Sequence, residues 1–535
     1  MRKYDKLNRT FFVFALAFVF VSTIFAVVLQ FFKGKVLDYA IAGELEAAVK
    51  YAFFLIAFIL GEVLFYFGYQ RCSARFVVGC TKCLKRDIFE SIFRRGFVEY
   101  QNLSQGEYIA KYTNEADAIK SRRFQMLPMI WEILFKILFV SAALFVLDWR
   151  IALVTIALLT TPLYLPKLIE KRLQTAQTEY LKAVEVNLAK VNDWLSGFEL
   201  IKNFSVEKKI LAKFDEVNDL TMEKLLRDTV LGAASQLITT LISYLSYFVV
   251  LVFATWLVLE RAFSAGDFFV AIGMIDQLSY PLIALAEIIR QLTAIKPSCW
   301  AMERFISEGA RTGEKRSLTS LADRIEYRGV TFAYPQQRPV LRDFCFEAEK
   351  GKRYLIQGPS GCGKTTAVNL LLRYYDVDAG SIEIDGIPIS TYGSTYDCMT
   401  IVRQEAVLFR DSLRNNLTMY QEISDEKLID MLNGLGLSKF ANKQALDREI
   451  AENGANLSGG EKKRICLARA LLRDTDVLIL DEPLANLDEA TVHRIEDLLL
   501  SIPDKLMIVV SHQFSEDKLR RFDGVVTLCS QPAAQ

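Results

Sequence analysis

The first 290 residues alternate between long apolar runs and polar stretches. Six runs are long enough to be membrane helices, at about 10–32, 51–70, 127–147, 151–169, 229–259 and 266–289. A bilayer core takes ~20 apolar residues of helix. Any one run could be a buried helix of a soluble protein, but six in succession predict a polytopic membrane region. The first run, Thr10 to Phe32, exceeds the ~7–15 residues of a signal core, and no small-residue cleavage site follows it. It therefore reads as a retained membrane helix. Segments 71–126 and 166–228 each carry 11 Lys and Arg, whereas 33–50, 148–150 and 260–265 carry three, one and one. The positive-inside rule places the two long segments, and with them both termini, in the cytoplasm. Each would fold as two helical arms of ~28 residues reaching ~40 Å below the membrane at ~1.5 Å per residue.

Membrane character ends near Arg290. The polar stretch SEGARTGEKRSLTS suits a linker, which gives a membrane region over 1–306, a linker over 307–321 and a third region over 322–530. In that last region strand-like runs (RIEYRGVTFAY, KRYLIQG, SIEIDG, DVLILDEP, LMIVVSH) alternate with helix-like ones. This alternation predicts an α/β domain around a largely parallel sheet.

Composition narrows the function classes. The chain has 535 residues, 52% of them hydrophobic, and a formal net charge of +1, so no bulk attraction to nucleic acid is implied. Nine cysteines are scattered along it. Cys80 and Cys83 form a CxxC, but a zinc site needs about four ligands and the chain has only two histidines. Reduced cytoplasmic thiols are the simpler reading.

The chemistry lies in the third region. Gly358-Pro-Ser-Gly-Cys-Gly-Lys364-Thr365 fits G-x-x-x-x-G-K-[ST] between a strand and an apolar helix. Glycines let backbone N–H groups close around phosphate oxygens, and the helix N-terminus adds the positive end of its dipole. Gly358, Ser360, Gly361, Cys362, Gly363, Lys364, Thr365 and Thr366 are thus the expected nucleotide-binding residues. Lys364 would charge the β/γ-phosphates of ATP, and Thr365 would ligate Mg²⁺. A second strand, Val477–Leu480, ends in Asp481-Glu482. Ligand chemistry sits at the carboxyl ends of strands in doubly wound sheets. Asp481 would hold the metal, and Glu482 would act as general base toward the attacking water.

Leu457-Ser-Gly-Gly-Glu461 resembles the signature of the ATP-binding-cassette (ABC) family, usually LSGGQ. The resemblance implies that Ser458, Gly459 and Gly460 close over ATP held by another subunit. Glu461 departs from the family's Gln, and a carboxylate near phosphates is unfavourable unless it faces away. By the same resemblance Tyr334 would stack on adenine, Gln404 would sense Mg²⁺ and the arms, Asp488 would cross the dimer interface, and His512 would contact the γ-phosphate. Leu484 and Asn486 stand where many members have Thr and Ala. His493 reads as a helix-surface residue. Glu452-Asn-Gly454, Phe198–Lys202 with Glu207, and Leu103–Lys120 resemble exporter-type contact and arm segments. The family then implies an α-helical membrane domain with six transmembrane helices and long cytoplasmic arms, followed by a P-loop NTPase domain of ABC type.

The expected function is ATP-driven transport of a solute, as export, by alternating access of a two-cassette dimer. An exporter-fold importer and a non-transporting, nucleotide-gated regulator are the alternatives. Expected cofactors are ATP and Mg²⁺. Expected partners are a second half-transporter (identical or not), membrane lipid and an unidentified solute, without nucleic acid. The expected location is the plasma (inner) membrane with the ATPase domain cytoplasmic. Charged and polar groups inside membrane helices point to the solute pathway. The candidates are Glu62, Glu132, Lys136, Asp276 and Gln277, although Glu132 and Lys136, spaced i,i+4, could neutralise each other.

Overall fold

The structure, a computed structural model, describes residues 1–159, 167–309, 317–335, 338–484, 488–511 and 516–528. By internal contacts the chain divides into two compact units, Met1–Glu90 with Gln105–Ile306, and Ser91–Ser104 with Ser307–Gln535.

The first unit is helical. Its elements include α1 (Arg2–Leu7), α2 (Arg9–Ile41), α3 (Leu45–Phe93), α4 (Met126–Leu147), α5 (Trp149–Leu159), α6 (Lys167–Ser196), α7 (Glu207–Leu259), α8 (Ala265–Ala294) and α9 (Lys296–Gly309), and short helical segments between Gln105 and Phe124 lead into α4. Among the described residues, four helical stretches are long and apolar enough to cross a bilayer: Arg9–Ile41, Leu45–Phe93, Gln105–Leu147 and Glu207–Leu259. The expected span 151–169 starts as α5, and its residues 160–166 lie outside the described set. The expected span 266–289 falls within the 30 residues of α8. At ~1.5 Å per residue the 49 residues of α3 measure about 73 Å, against ~30 Å for a bilayer core, so α3 continues far past the membrane as an arm.

Apolar side chains of α4, α5, α7 and α8 form the unit's core, including Val140, Leu144, Ile151, Val250, Leu257, Met274 and Ile275. Small residues let α2 and α8 approach closely. A Cβ on Gly34 would lie 2.5 Å from Val270 Cγ2 and 2.7 Å from the Gly266 carbonyl oxygen. The N-terminus of α8 is held to α2 by Asp38, whose carboxylate accepts from Ser264 Oγ (3.0 Å) and the Gly266 N–H (2.7 Å).

The second unit holds two sheets. Strands β1 (Arg324–Phe332), β2 (Leu341–Glu349), β4 (Ala379–Ile384) and β5 (Ile387–Pro388) form an antiparallel sheet in the order β2-β1-β4-β5. Strands β3 (Arg353–Gln357), β6 (Met399–Val402), β7 (Val477–Asp481), β8 (Leu506–Val510) and β9 (Gly524–Thr527) form a parallel one in the order β6-β7-β8-β3-β9. The expectation of one largely parallel sheet is therefore corrected for RIEYRGVTF and SIEI, which belong to the antiparallel sheet. The cause is legible in burial: β1 alternates buried and more exposed positions, as a half-covered antiparallel strand does, whereas β7 and β8 are buried throughout.

Candidate nucleotide site

Three chain segments meet at the carboxyl ends of the parallel strands. After β3 the chain turns through Gly358, Gly361 and Gly363, with φ of +150°, +82° and +102°, before helix α10 (Lys364–Leu371). A Cβ at Gly358 would lie 2.2 Å from the Leu528 carbonyl oxygen, so only glycine fits there. Ser360 and Gly361 are exposed on the loop, and Cys362 is buried beneath it. Lys364 is buried, and its ammonium donates to the carbonyls of Gly358 (2.8 Å) and Pro359 (2.9 Å), which hold it on the loop. Thr366 Oγ1 lies 3.2 Å from the Tyr334 hydroxyl and ties that ring to α10.

The second segment is the end of β7. Asp481 is buried, and its Oδ2 accepts from Thr365 Oγ1 at 3.5 Å. Burial pushes its carboxyl above the usual range, against the pull of the Arg403 guanidinium. Glu482 turns the chain through φ of +50°, unusual for a residue with a Cβ, and its N–H donates to the Val510 carbonyl (2.8 Å). The third segment follows β6. Gln404 Nε2 donates to Glu482 Oε2 at 3.0 Å. The structure thus brings together Thr365 with Asp481 and Gln404 with Glu482.

Ser458, Gly459 and Gly460 open helix α11 (Gly459–Leu472), with Ser458 and Gly459 exposed. Glu461 faces back onto its own helix end. Its carboxylate accepts from the Ser458 N–H (2.9 Å) and pairs with Lys439, while Ser458 Oγ accepts from the Glu461 N–H (3.3 Å). Burial alone would raise its carboxyl, but Lys439 and Ser458 outweigh it and hold it below the usual range. Asp488 caps helix α12 (Glu489–Ser501), accepting from the Thr491 N–H at 2.9 Å. His493 is exposed on that helix, with Nδ1 3.4 Å from Glu496 Oε2. His512 lies outside the described residues.

Hard oxygen donors suit Mg²⁺, and two ligands at right angles around that ion lie about 3 Å apart. The Thr365–Asp481 pair at 3.5 Å is compatible with this.

The model of the ABC transporter transmembrane region matches residues 12–282, just over half the chain, and the ABC transporter model matches residues 341–485. The chain belongs to the ABC transporter family. It carries one transmembrane region and one ATP-binding cassette, and it is an integral membrane protein whose ATPase activity is coupled to transport. An ATP-dependent lipid A-core flippase of Pseudoalteromonas translucida (strain TAC 125) is 28% identical over 87% of this chain and 82% of its own length. A Bacillus subtilis (strain 168) protein named for multidrug export, YgaD, is 28% identical over 81% and 76%. The solved structure of a bacterial Atm1-family ABC exporter with ATP bound superposes with a TM-score of 0.80 at 21% identity, covering 98% of this chain and 94% of that one, and shows the same exporter fold.

Sequence reasoning missed an aromatic path in the ABC transporter's cassette unit. The segment Ser91–Ser104 packs within this unit. Phe97 stacks flat on Tyr374, with centroids 3.9 Å apart at 10°. Tyr374 lies under the Arg403 guanidinium (5.2 Å), which in turn lies 4.0 Å from Asp481. Beside it, the Tyr375 hydroxyl donates to Gln101 Oε1 (3.0 Å), and the Tyr375 ring packs edge-on against Tyr334 (5.2 Å, 88°). One segment therefore contacts Tyr374 and Tyr375 directly and reaches the acidic end of the site only through Tyr374 and Arg403. Phe97 stands among Phe93 and Tyr100 at the start of a short helix, Phe97–Gln101, and nothing local sets it apart.

In the membrane unit, Lys136 pairs with Glu132 at 2.8 Å. Glu62 is half-buried, and the Lys136 and Lys33 charges act on it. Gln277 Nε2 donates to the Ala26 carbonyl at 3.5 Å. Asp276 is exposed between buried Ile275 and Leu278 and, among the described residues, has no ion-pair partner.

Proposed function

We propose that this half-transporter works as a two-cassette dimer, of like or unlike halves, that hydrolyses MgATP to export an amphiphilic solute across the plasma membrane, with both termini and the cassettes in the cytoplasm. Four atoms carry the reading: Thr365 Oγ1 at Asp481 Oδ2, and Gln404 Nε2 at Glu482 Oε2, all at the end of one buried parallel sheet. The glycine loop and Lys364 bind the triphosphate. Tyr334 stacks on the base. Thr365 and Asp481 would hold Mg²⁺, which neutralises phosphate charge when bound. Glu482, steered by Gln404, takes the proton of the attacking water. The Ser458-Gly459-Gly460 end of α11, with Ser458 and Gly459 exposed, offers backbone N–H groups to an anion. It serves the ATP of the partner, with Asp488 at the same interface and His512 at the γ-phosphate. Glu461 does not oppose this, because its carboxylate is spent on the helix cap and Lys439. Closure is relayed to the helices through Phe97 and Gln101, which follow the end of α3 after a turn at 94–96.

Export is favoured over import because the relatives reported above are named for flipping or multidrug export. The regulator reading is disfavoured by the intact Asp481–Glu482–Gln404 set. Proteoliposomes with ATP added outside energise only molecules whose cassettes face out. Export then predicts ATP-dependent accumulation of a fluorescent amphiphile such as Hoechst 33342 in the lumen. ATP-dependent emptying of a preloaded lumen would establish import, and hydrolysis that stays uncoupled from every amphiphile tried would support the regulator. Dimerisation is read separately. Cysteines placed at Ser458 and Ser360 should cross-link only between chains, and only with ATP.

A further inference from the structure

The membrane unit carries an open cavity of about 820 Å³ between α1, the end of α8 and the start of α9. Four basic side chains line it: Arg2, Lys3, Arg123 and Lys296. Two of them are committed. Arg123 donates to both carboxylate oxygens of Asp5 (3.2 and 2.8 Å), and Lys3 pairs with Asp87 (3.0 Å). Arg2 and Lys296 are exposed, and among the described residues neither has an acidic partner. The acidic residue on the wall, Glu303, is in contact with the Met1 nitrogen. The cavity therefore keeps two uncompensated positive charges above its internal pairs.

Its remaining wall is apolar, formed by Leu292, Ile295 and exposed Trp300. Depth matters as much as charge. The apolar run of α8 ends near Ile289, and Leu292 lies about 4–5 Å further along the helix at ~1.5 Å per residue, while Arg123 lies about 6 Å before the apolar run that starts at 127. The headgroup layer extends roughly 5–8 Å beyond the hydrocarbon core, so the cavity opens at headgroup level. Exposed Trp300 shares this wall, and tryptophan is a usual interfacial anchor. Basic pockets between helices on a cytoplasmic face suit phosphate-bearing headgroups. A cavity of this volume is in the range of small-ligand sites, ~300–1,000 Å³.

We propose that this cavity binds the phosphodiester headgroup of an anionic membrane lipid, with the phosphate at Arg2 and Lys296 and the apolar part of the lipid against Leu292, Ile295 and Trp300. The shared chemistry is a phosphate anion, and the apolar wall at headgroup depth assigns it to a lipid rather than to a free ion. The site is separate from both the cassette and the candidate solute-pathway residues, so it stands or falls independently of the export reading.

The test uses the full-length protein in detergent micelles, titrated with brominated phosphatidylglycerol or brominated phosphatidylcholine. The signal is Trp300 emission, isolated by subtracting the spectrum of Trp300→Phe. Phosphatidylglycerol should half-quench at a mole fraction at least ~10-fold lower than phosphatidylcholine, since each basic residue near a surface contributes about fivefold in affinity. Arg2→Ala with Lys296→Ala should abolish that preference, Lys296→Gln alone should weaken it about fivefold, and Lys190→Ala on α6 should leave it intact. Basal ATPase reports folding of each variant, and the single substitution reads the site even if the double one folds poorly. Equal quenching by the two lipids, or a preference that survives in the variants, would overturn the proposal. So would displacement of phosphatidylglycerol by millimolar inorganic phosphate, which would make this a small-anion site.

Discussion

The cassette and the membrane unit of this transporter present their chemistry in opposite ways. In the cassette, residues from three distant segments converge so that Thr365 meets Asp481 at 3.5 Å and Gln404 meets Glu482 at 3.0 Å. In the membrane unit the polar side chains gather only as a local charge cluster, Lys136 with its helix neighbour Glu132 and with Glu62, and Asp276 stands apart. The difference follows from what each region handles. A triphosphate has fixed charge and shape, so its binding demands particular backbone angles and donors. The amphiphilic solute proposed above would make mostly apolar contacts, which aromatic and aliphatic helix faces supply without any motif.

The comparison breaks first if the cassette's convergence is not catalytic. Glu482→Gln removes the charge and keeps the size, so steady-state ATP hydrolysis should fall ~10²–10⁴-fold, as for general-base loss. ATP affinity, measured by equilibrium binding, should be unchanged. A variant that retained more than about half of its turnover would remove Glu482 from that role. Lys364→Ala should act on binding itself. A hydrogen bond to a charged group contributes ~1.5–3 kcal/mol, so affinity for ATP should drop roughly 10- to 100-fold. Unchanged affinity would refute the assignment of the loop.

What the sequence disclosed follows the same division. The P-loop was legible because glycine spacing, Lys364 and Thr365 are local, and the strand before them is apolar. Asp481-Glu482 was legible only in company with that loop. The Phe97–Tyr374 stack was not, because the two rings are far apart in the chain and nothing local marks them as partners. Glu461 was readable in principle. Ser458-x-x-Glu461 is a capping-box pattern, and it is this cap that turns the carboxylate toward Ser458 and Lys439. The membrane helices were legible as apolar runs, but their bounds were not, since α3 continues as a polar helix well past its apolar stretch without a break.

A smaller effect tests whether the two regions communicate through Phe97. Aromatic pairs add ~0.5–1.5 kcal/mol beyond area burial, or about 2- to 10-fold. Phe97→Ala should lower ATP-driven accumulation of the fluorescent amphiphile by that factor while basal ATPase stays within about twofold. Phe97→Tyr should restore it, because the stacking face is kept. Equal losses of transport and basal ATPase would mean that the stack merely supports the cassette fold.

The smallest effect sharpens the membrane side. Asp276 lies in α8 ahead of Pro281, which the helix runs through, and between buried Ile275 and Leu278. A carboxylate facing lipid at mid-bilayer costs several kcal/mol, so an exposed one must face water or another subunit. Pairing with Lys136 would be the structural alternative, but that ammonium is 2.8 Å from Glu132. We therefore propose Asp276 as a solute-pathway residue. Asp276→Asn keeps the shape and a hydrogen-bonding oxygen and removes only the charge. Amphiphile-stimulated ATPase should shift about two- to threefold for a cationic amphiphile and stay flat for a neutral one, with basal ATPase and folded yield unchanged, as expected for one solvated charge at ~1 kcal/mol or less. A collapse of folded yield would show that Asp276 is a structural partner after all. An identical response to both amphiphiles would leave its charge without a role in cargo choice, and the pathway would then be defined by its apolar faces alone.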